Sequence, residues 1–204
     1  MDYAIKQVDA IRAPSDCLIV GVYTHKHLSA TAAALDKATK GLISRLYQHR
    51  DLTGKAGQVV VLPDPPHIGA HRILLVGCGA RGKVSLADWR KSLDAAARAL
   101  VQLPARHAVS CLGEIEVRGT QFAQRIEQHI VAIDRAAYRF DRFKSKAPEN
   151  GPALRKLTLV AADAIELEAG RQAARYAEAL AGGIRLARDL GNAPANHCTP
   201  THLA

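Results

Sequence analysis

Three constellations in this sequence carry residue types and spacings that could do chemistry. The first is Gly77-x-Gly79-x-x-Gly82, which follows the apolar run Arg72 to Val76 and precedes an amphipathic segment. Strand, glycine turn and helix in that order make the fingerprint of a dinucleotide-binding turn, where a helix N-terminus carries the pyrophosphate. Two supports of that reading fail. Ser85-x-x-Asp88 is a capping box, so the helix starts beyond Gly82 and its positive end is drawn away from the phosphate position. The acid expected about 20 residues on, at the tip of the next strand, is misplaced as well: Asp94 falls inside the helix and Glu114 lies too far along. The glycines then read as what a tight strand-to-helix turn requires.

The second constellation is the set of metal-ligating types. His25-x-His27 and His197-Cys198 could each offer two ligands, but neither has nearby partners to complete a four-ligand set. Cys17, Cys78, Cys111 and Cys198 are far apart and form no C-x-x-C pair. Three of them sit in or beside apolar strand-like runs, which reads as reduced core thiols of a cytoplasmic protein.

The third is basic. A net charge of +9 and a pI near 9.7 favour polyanionic partners, nucleic acid first among them. Between residues 135 and 156, Arg135, Arg139, Arg142, Lys144, Lys146, Arg155 and Lys156 outnumber Asp141 and Glu149. A second cluster is Arg81, Lys83, Arg90, Lys91 and Arg98. Such residues could neutralise duplex DNA phosphates, giving salt-dependent, sequence-tolerant affinity. They also fit solvated helix faces and a polar loop. No recognition-helix signature or aromatic stacking series supports sequence-specific readout.

The elements that would position these residues follow from hydrophobic patterning. Strand-like segments are Tyr3 to Val8, Cys17 to Tyr23, Gln58 to Leu62, Arg72 to Val76, His107 to Leu112 and Leu154 to Ala162. Continuous runs such as VVVL and ILLV suggest strands buried on both faces. Ser85 to Leu103 reads as a helix with Leu86, Trp89, Leu93, Ala96, Ala97 and Leu100 on one face; Gln121 to Tyr138 places Phe122, Ile126, Ile130 and Ile133 at helical spacing. A third helix, Glu166 to Leu190, is interrupted by Gly182-Gly183 and stopped by Gly191. Alternating strands and helices predict an α/β domain with helices on both faces of a mixed, mostly parallel sheet. The alternating first segment and the turn at Thr53-Gly54-Lys55 leave room for antiparallel strands. KSKAPENGP, residues 144 to 152, reads as a polar loop.

The bulk composition sets limits. The 204 residues, 48% hydrophobic and 23% charged, suit one soluble globular domain with an appendage. Aromatics are only 4%, so alanine, leucine and valine must fill the core. No apolar run reaches membrane length, and MDYAIKQVDAIRAPSD has no secretion-signal pattern. After Gly191, Thr199 and Pro200 read as a helix start with only four residues following, which predicts that the chain is truncated.

The run ARDLGNAPANHCTPTHLA, residues 187 to 204, resembles the junction of leucyl aminopeptidases of the M17 family. There a long helix ends in R-x-L-x-N-x-P-x-N-x-x-T-P-x-x-L-A and leads into the catalytic domain. Arg188, Leu190, Asn192, Pro194, Asn196, Thr199, Pro200, Leu203 and Ala204 stand where that pattern wants them. VGCG at 76 to 79, Trp89-Arg90-Lys91 and the run from Tyr138 through Phe140 and Phe143 to Ser145 are also similar to the family's N-terminal domain. The resemblance implies a macro-domain-like α/β unit over 1–165, a linker helix over 166–191, and the start of a catalytic domain over 192–204. It implies two divalent metal ions, Mn or Zn, in that catalytic domain, where they activate a bridging water and polarise the peptide carbonyl. The lysine, D-T-G-G and N-T-D-A-E-G-R signatures that bind them are absent here, so no catalytic or metal-binding residue transfers to this chain. Peptide substrates, a homo-hexamer, cytoplasmic location and an inactive isolated domain are the further implications, and some bacterial members suggest duplex DNA as a partner. The competing expectation is a free-standing macro-like module that binds a nucleotide or DNA, with Asp9 and Asp16 as candidates by position for an early adenine-binding acid.

Overall fold

The computed structural model describes residues 1–141, 154–194 and 196–198. Six strands form one sheet: β1 (Asp2–Lys6), β2 (Cys17–Val22), β3 (Val59–Pro63), β4 (Arg72–Gly77), β5 (His107–Ser110) and β6 (Lys156–Val160). Their spatial order is β1-β6-β5-β2-β4-β3. Every neighbouring pair is parallel except β3 against β4, which pair antiparallel from Val59↔Val76 to Pro63↔Arg72. The predicted mixed, mostly parallel sheet is therefore what forms. β1 is not one of its antiparallel members, however. Its alternation reflects an edge position, with Ile5 buried and both ends exposed.

The central strands are the ones whose sequences run continuously apolar. CLIVGV is buried at all six positions of β2, and Ile73 through Gly77 are buried in β4. Such strands need cover on both faces. One face carries α3 (Leu86–Gln102), α4 (Phe122–Ala137) and α5 (Ala164–Asn192), with Trp89, Leu93, Leu100, Ile126, Ile130 and Ile133 in its core. The other carries α1 (Ala30–Ala38) and α2 (Leu42–Gln48), which pack Leu35, Ile43 and Tyr47 onto Leu18, Val20, Ile73 and Leu75. Each fully buried Leu or Ile contributes roughly 2 kcal/mol relative to exposure.

Local signals start the helices where the sequence places them. Ser85 caps α3, its hydroxyl accepting from Asp88 N at 3.1 Å. Gln121 and Gln124 form a reciprocal capping box at α4. Asp163 caps α5 through Glu166 N at 2.8 Å. Three expectations need correction. β5 ends at Ser110 and passes into a single 3-10 turn, Leu112–Glu114, as the Ser110 hydroxyl accepts from Leu112 N. α5 runs unbroken through Gly182-Gly183 and one residue past Gly191. Two interior glycines cost about 1 kcal/mol each, and the packing of α5 along α4 offsets this. Finally, α1 and α2 occupy a stretch in which no helix was expected. The Thr199–Pro200 helix start and the loop at 144 to 152 lie outside the described residues.

Candidate functional site

Open α/β sheets bind ligands in the crevice beyond the carboxyl ends of their strands, where the connections leave in opposite directions. In this sheet that condition is met on both sides of β2, which leads to α1 on one face, while its neighbours β5 and β4 lead to α4 and α3 on the other. The N-terminus of α1 opens there, and it is already occupied. The Glu114 carboxylate accepts from Thr31 N at 3.1 and 3.3 Å and from Thr31 Oγ1 at 3.0 Å. An anion of the protein's own therefore sits where a ligand phosphate would gain most from the helix dipole. Glu116 and Arg81 line the same crevice beside Tyr23 and Ser29.

The glycine turn beside it is equally committed. Gly77 N donates to Gln58 O at 2.8 Å, Cys78 N to Val22 O at 2.8 Å and Gly79 N to Gly54 O at 2.9 Å. These amides hold the turn to the β3 approach and to β2, so they do not point at a ligand. A Cβ on Gly77 would lie 2.2 Å from Lys55 O, whereas one on Gly82 would meet nothing within 4 Å. Gly79 and Gly82 adopt φ of 93° and 70°, the left-handed region that glycine enters without strain. The motif is architectural.

The acids proposed for an adenine are structural too. Asp16 precedes β2, at the opposite end of the sheet from the crevice. Its carboxylate accepts from Arg106 N at 2.7 Å and His107 N at 2.9 Å, and the His107 amide leads in holding it below the usual carboxylate range. Asp9 closes its own turn, accepting from Ile11 N at 3.1 Å and pairing with Arg12 at 3.6 Å.

Among the described residues, no group of three or more His, Cys, Asp or Glu is placed to hold a metal ion. His25 and His27 are exposed between β2 and α1, and His197 follows α5 with its amide on Pro194 O. Cys17, Cys78 and Cys111 are buried free thiols, each pushed up to about 12 chiefly by burial, and Cys198 is a half-buried free thiol.

The basic candidates divide between structural and solvent-facing positions. Arg135, at the end of α4, pairs with Asp94 of α3. With Arg90 and Glu127 it rims a groove of about 290 Å³ between those helices, which Leu180 of α5 closes. Arg98 lies on the far side of the same ion pair. The two sequence clusters thus meet at one point, around Asp94. Lys91 faces away from it, its stem packed over Gly57, where a Cβ would come within 2.9 Å of Lys91 Cγ. Arg81, Lys83 and Arg139 are exposed, whereas Arg142, Lys144 and Lys146 lie outside the described residues.

One arrangement was not anticipated from the sequence. Tyr138, just past α4, donates its hydroxyl to Asp189 Oδ1 at 2.7 Å and accepts from Asn192 Nδ2 at 3.3 Å. The Arg188 guanidinium stacks 3.8 Å above its ring. One turn earlier, Arg185 meets the buried Asp134 at 3.0 Å. The tyrosine and the R-x-L-x-N segment are separate motifs in sequence and a single clamp in space.

The α1 N-terminus thus already holds an anion of the protein's own, and comparison with known proteins places the chain in a family. The sequence profile of the N-terminal domain of the cytosol aminopeptidase family matches residues 19–147. This chain belongs to the cytosol aminopeptidase family. It is 38% identical over 203 residues to a probable cytosol aminopeptidase of Halorhodospira halophila, covering 100% of this chain and 41% of that protein. A counterpart from Chromobacterium violaceum is 38% identical over 203 residues and covered over 39% of its length. The chain thus spans about two fifths of the length of these cytosol aminopeptidases. In three dimensions it resembles a tomato leucine aminopeptidase variant with a TM-score of 0.76 at 25% identity, over 100% of this chain and 40% of that one. The bottromycin maturation enzyme BotP in complex with Mn superposes with a TM-score of 0.62 at 26% identity, over 92% of this chain and 34% of the enzyme. The six-stranded domain with its long final helix is the fold of this family's N-terminal domain.

Proposed function

We propose that this chain is the non-catalytic N-terminal domain of a cytoplasmic, metal-dependent aminopeptidase that releases N-terminal residues, leucine preferred, from peptides and works as a homo-hexamer. The observation that carries the reading is the match along all of this chain to about two fifths of each cytosol aminopeptidase. The part of those relatives beyond the match is where the two metal ions, Mn or Zn, and the reacting groups belong. A structural relative solved with Mn supports metal dependence. The test is an assay of the full-length gene product on leucyl peptides with added Mn and with a chelator. Leucine release that stops on chelation supports the reading; release that persists without metal counts against it.

A second role, duplex DNA binding, is favoured by the net charge of +9 and by the exposure of Arg81, Lys83, Arg90, Lys91 and Arg139. Arg135 is a weaker contributor than its sequence context suggests, because Asp94 already neutralises it. Binding through such residues falls steeply with salt, the logarithm of affinity dropping with a slope of about 0.9 per phosphate contact. Lys83→Glu with Arg90→Glu is expected to weaken binding to all duplexes alike and to flatten the salt dependence. Salt-insensitive affinity, or none at low salt, contradicts the role.

A further inference from the structure

The sheet ends at two edges, and they are not alike. β1 closes one of them with charges, Asp2 and Lys6 standing exposed at its two ends. Charged residues on an edge strand discourage another chain from pairing with it. β3, at the other edge, reads VVVLP and carries no charge. None of its five residues is buried, and Val61 is 38% exposed. A run of three valines and a leucine has high strand propensity and, left uncovered, is a template for a further strand.

The backbone shows which groups that template offers. β3 and β4 are antiparallel in the register Val59↔Val76 to Pro63↔Arg72. At the two ends of this ladder Gly77 N donates to Gln58 O at 2.8 Å and Asp64 N to His71 O at 2.9 Å. In an antiparallel pair, residues that exchange hydrogen bonds alternate with residues that do not. Gln58, Val60, Leu62 and Asp64 therefore turn their backbone groups toward β4, and Val59, Val61 and Pro63 turn theirs away from the sheet. Among the described residues, nothing bonds the outward N–H and C=O groups of Val59 and Val61. Pro63 fits the same alternation. It stands where an N–H would face outward, so its missing donor costs the β3–β4 ladder nothing.

We propose that this edge pairs with the β3 edge of a second copy of the chain, antiparallel and about a two-fold axis at Val60. In that register Val59 of each copy faces Val61 of the other, and each such pair exchanges two hydrogen bonds, four in all. Every outward N–H of the strand is then used. Pro63 falls opposite Gly57, which has no side chain to meet its ring. An axis at Val61 instead sets Val59 against Pro63, and the Val59 carbonyl loses its donor. The charges flanking the strand agree with the antiparallel sense. Lys55 precedes it, Asp64 follows it, and both are exposed. The two-fold brings the Lys55 end of one copy to the Asp64 end of the other, while Arg72 lies one strand further in, on β4. Self-complementarity of this kind is what an isologous contact requires, and an unrelated extended peptide would lack the Lys55–Asp64 match. Two six-stranded sheets become one. The contact is small beside a standard interface, so the dimer is weak and concentration-dependent.

The test is sedimentation of the 204-residue chain at concentrations up to about 1 mM, where a weak dimer is populated. A monomer–dimer equilibrium is expected. Val61→Pro removes an outward donor and none from the ladder with β4, so it should weaken the dimer at least tenfold and leave the circular dichroism unchanged. If that variant fails to fold, Val61→Lys places a charge on the edge and should weaken the dimer equally. Lys55→Glu should also weaken it, and adding Asp64→Lys should restore it, which a purely local effect of either residue would not do. In a Cys198→Ser background, Val60→Cys should oxidise to a disulfide-linked dimer and Leu62→Cys should not, since only position 60 meets its own counterpart. A chain that stays monomeric throughout overturns the inference, as does an assembly that both Val61 variants leave unchanged. Cross-linking at position 62 in place of 60 overturns it too. So does a monomeric chain that binds a synthetic VVVLP peptide, because the edge then takes an extended peptide rather than a second copy. Peptidase activity enters none of these readouts, so their failure leaves the functional reading standing.

Discussion

Glu114 and His129 show how far single side chains can depart from what their types suggest. Glu114 is an acid in the crevice where an α/β protein would do its chemistry, yet its carboxylate is held by the backbone and hydroxyl of Thr31, 83 positions away in sequence. No local spacing announces that bond. His129 is 1% exposed, and neither ring nitrogen has a hydrogen-bond partner among the described residues. Burial alone pushes its imidazole down to about 4. The folded protein therefore keeps His129 neutral while the unfolded chain, titrating near 6.5, takes up a proton first. Stability from this residue is complete above pH 6.5 and declines as pH falls toward 4, by up to roughly 3 kcal/mol. Denaturant midpoints across that range should fall in the wild type and fall less in His129→Leu. An unchanged slope in the variant would place the acid sensitivity elsewhere. At the glycine turn, Gly77→Ala drives a Cβ onto Lys55 O and should cost more than about 3 kcal/mol, while Gly82→Ala, with open space around it, should cost about 1 kcal/mol for its positive φ. Equal costs would mean that the turn's shape is not what Gly77 protects.

At the scale of elements, what was legible in the sequence was whatever burial had written into periodicity. β2 and β4 were legible because strands covered on both faces read as unbroken apolar runs, and α3 and α4 because each buries one stripe and caps itself with Ser85 or Gln121. α1 and α2 were not. In ATAAALDKA only Ala32 and Leu35 are buried, so alanines on the exposed side mute the contrast between faces, and α2 is only seven residues long. The glycines of α5 misled for the opposite reason. Helix-breaking propensity is local, and the contacts that override it come from α4. The clamp was hidden because Tyr138 lies 51 residues from Asp189 and 54 from Asn192. Its effect is measurable at this scale. Tyr138→Ala should speed amide exchange over the last two turns of α5 several-fold while leaving β2 and β4 unchanged, since only the end of the rod loses its anchor. Uniformly faster exchange would instead make Tyr138 part of the global core.

At the scale of the molecule, the Glu114 carboxylate on α1, the turn amides of Gly77 and Gly79 committed to neighbouring carbonyls and the braced α5 belong to the fold of the N-terminal domain of the cytosol aminopeptidase family. The basic surface belongs to the same scale: the 28 lysines and arginines behind the +9 charge are distributed along the whole chain, and those on α3, the α4 end and the turn after β4 are a minority of them, with Arg135 neutralised by Asp94. No helix among the described residues is long and apolar enough to cross a membrane. The central proposal is that this domain supplies architecture while metal and catalysis belong to the region that the cytosol aminopeptidase relatives have beyond the match. It is tested most directly by metal content. After equilibration with Mn and removal of free ion, elemental analysis of the full-length gene product should find about two ions per chain. The 204-residue chain treated identically should retain none and release no leucine from peptides. Stoichiometric Mn on the shorter chain, or leucine release by it, would contradict the account.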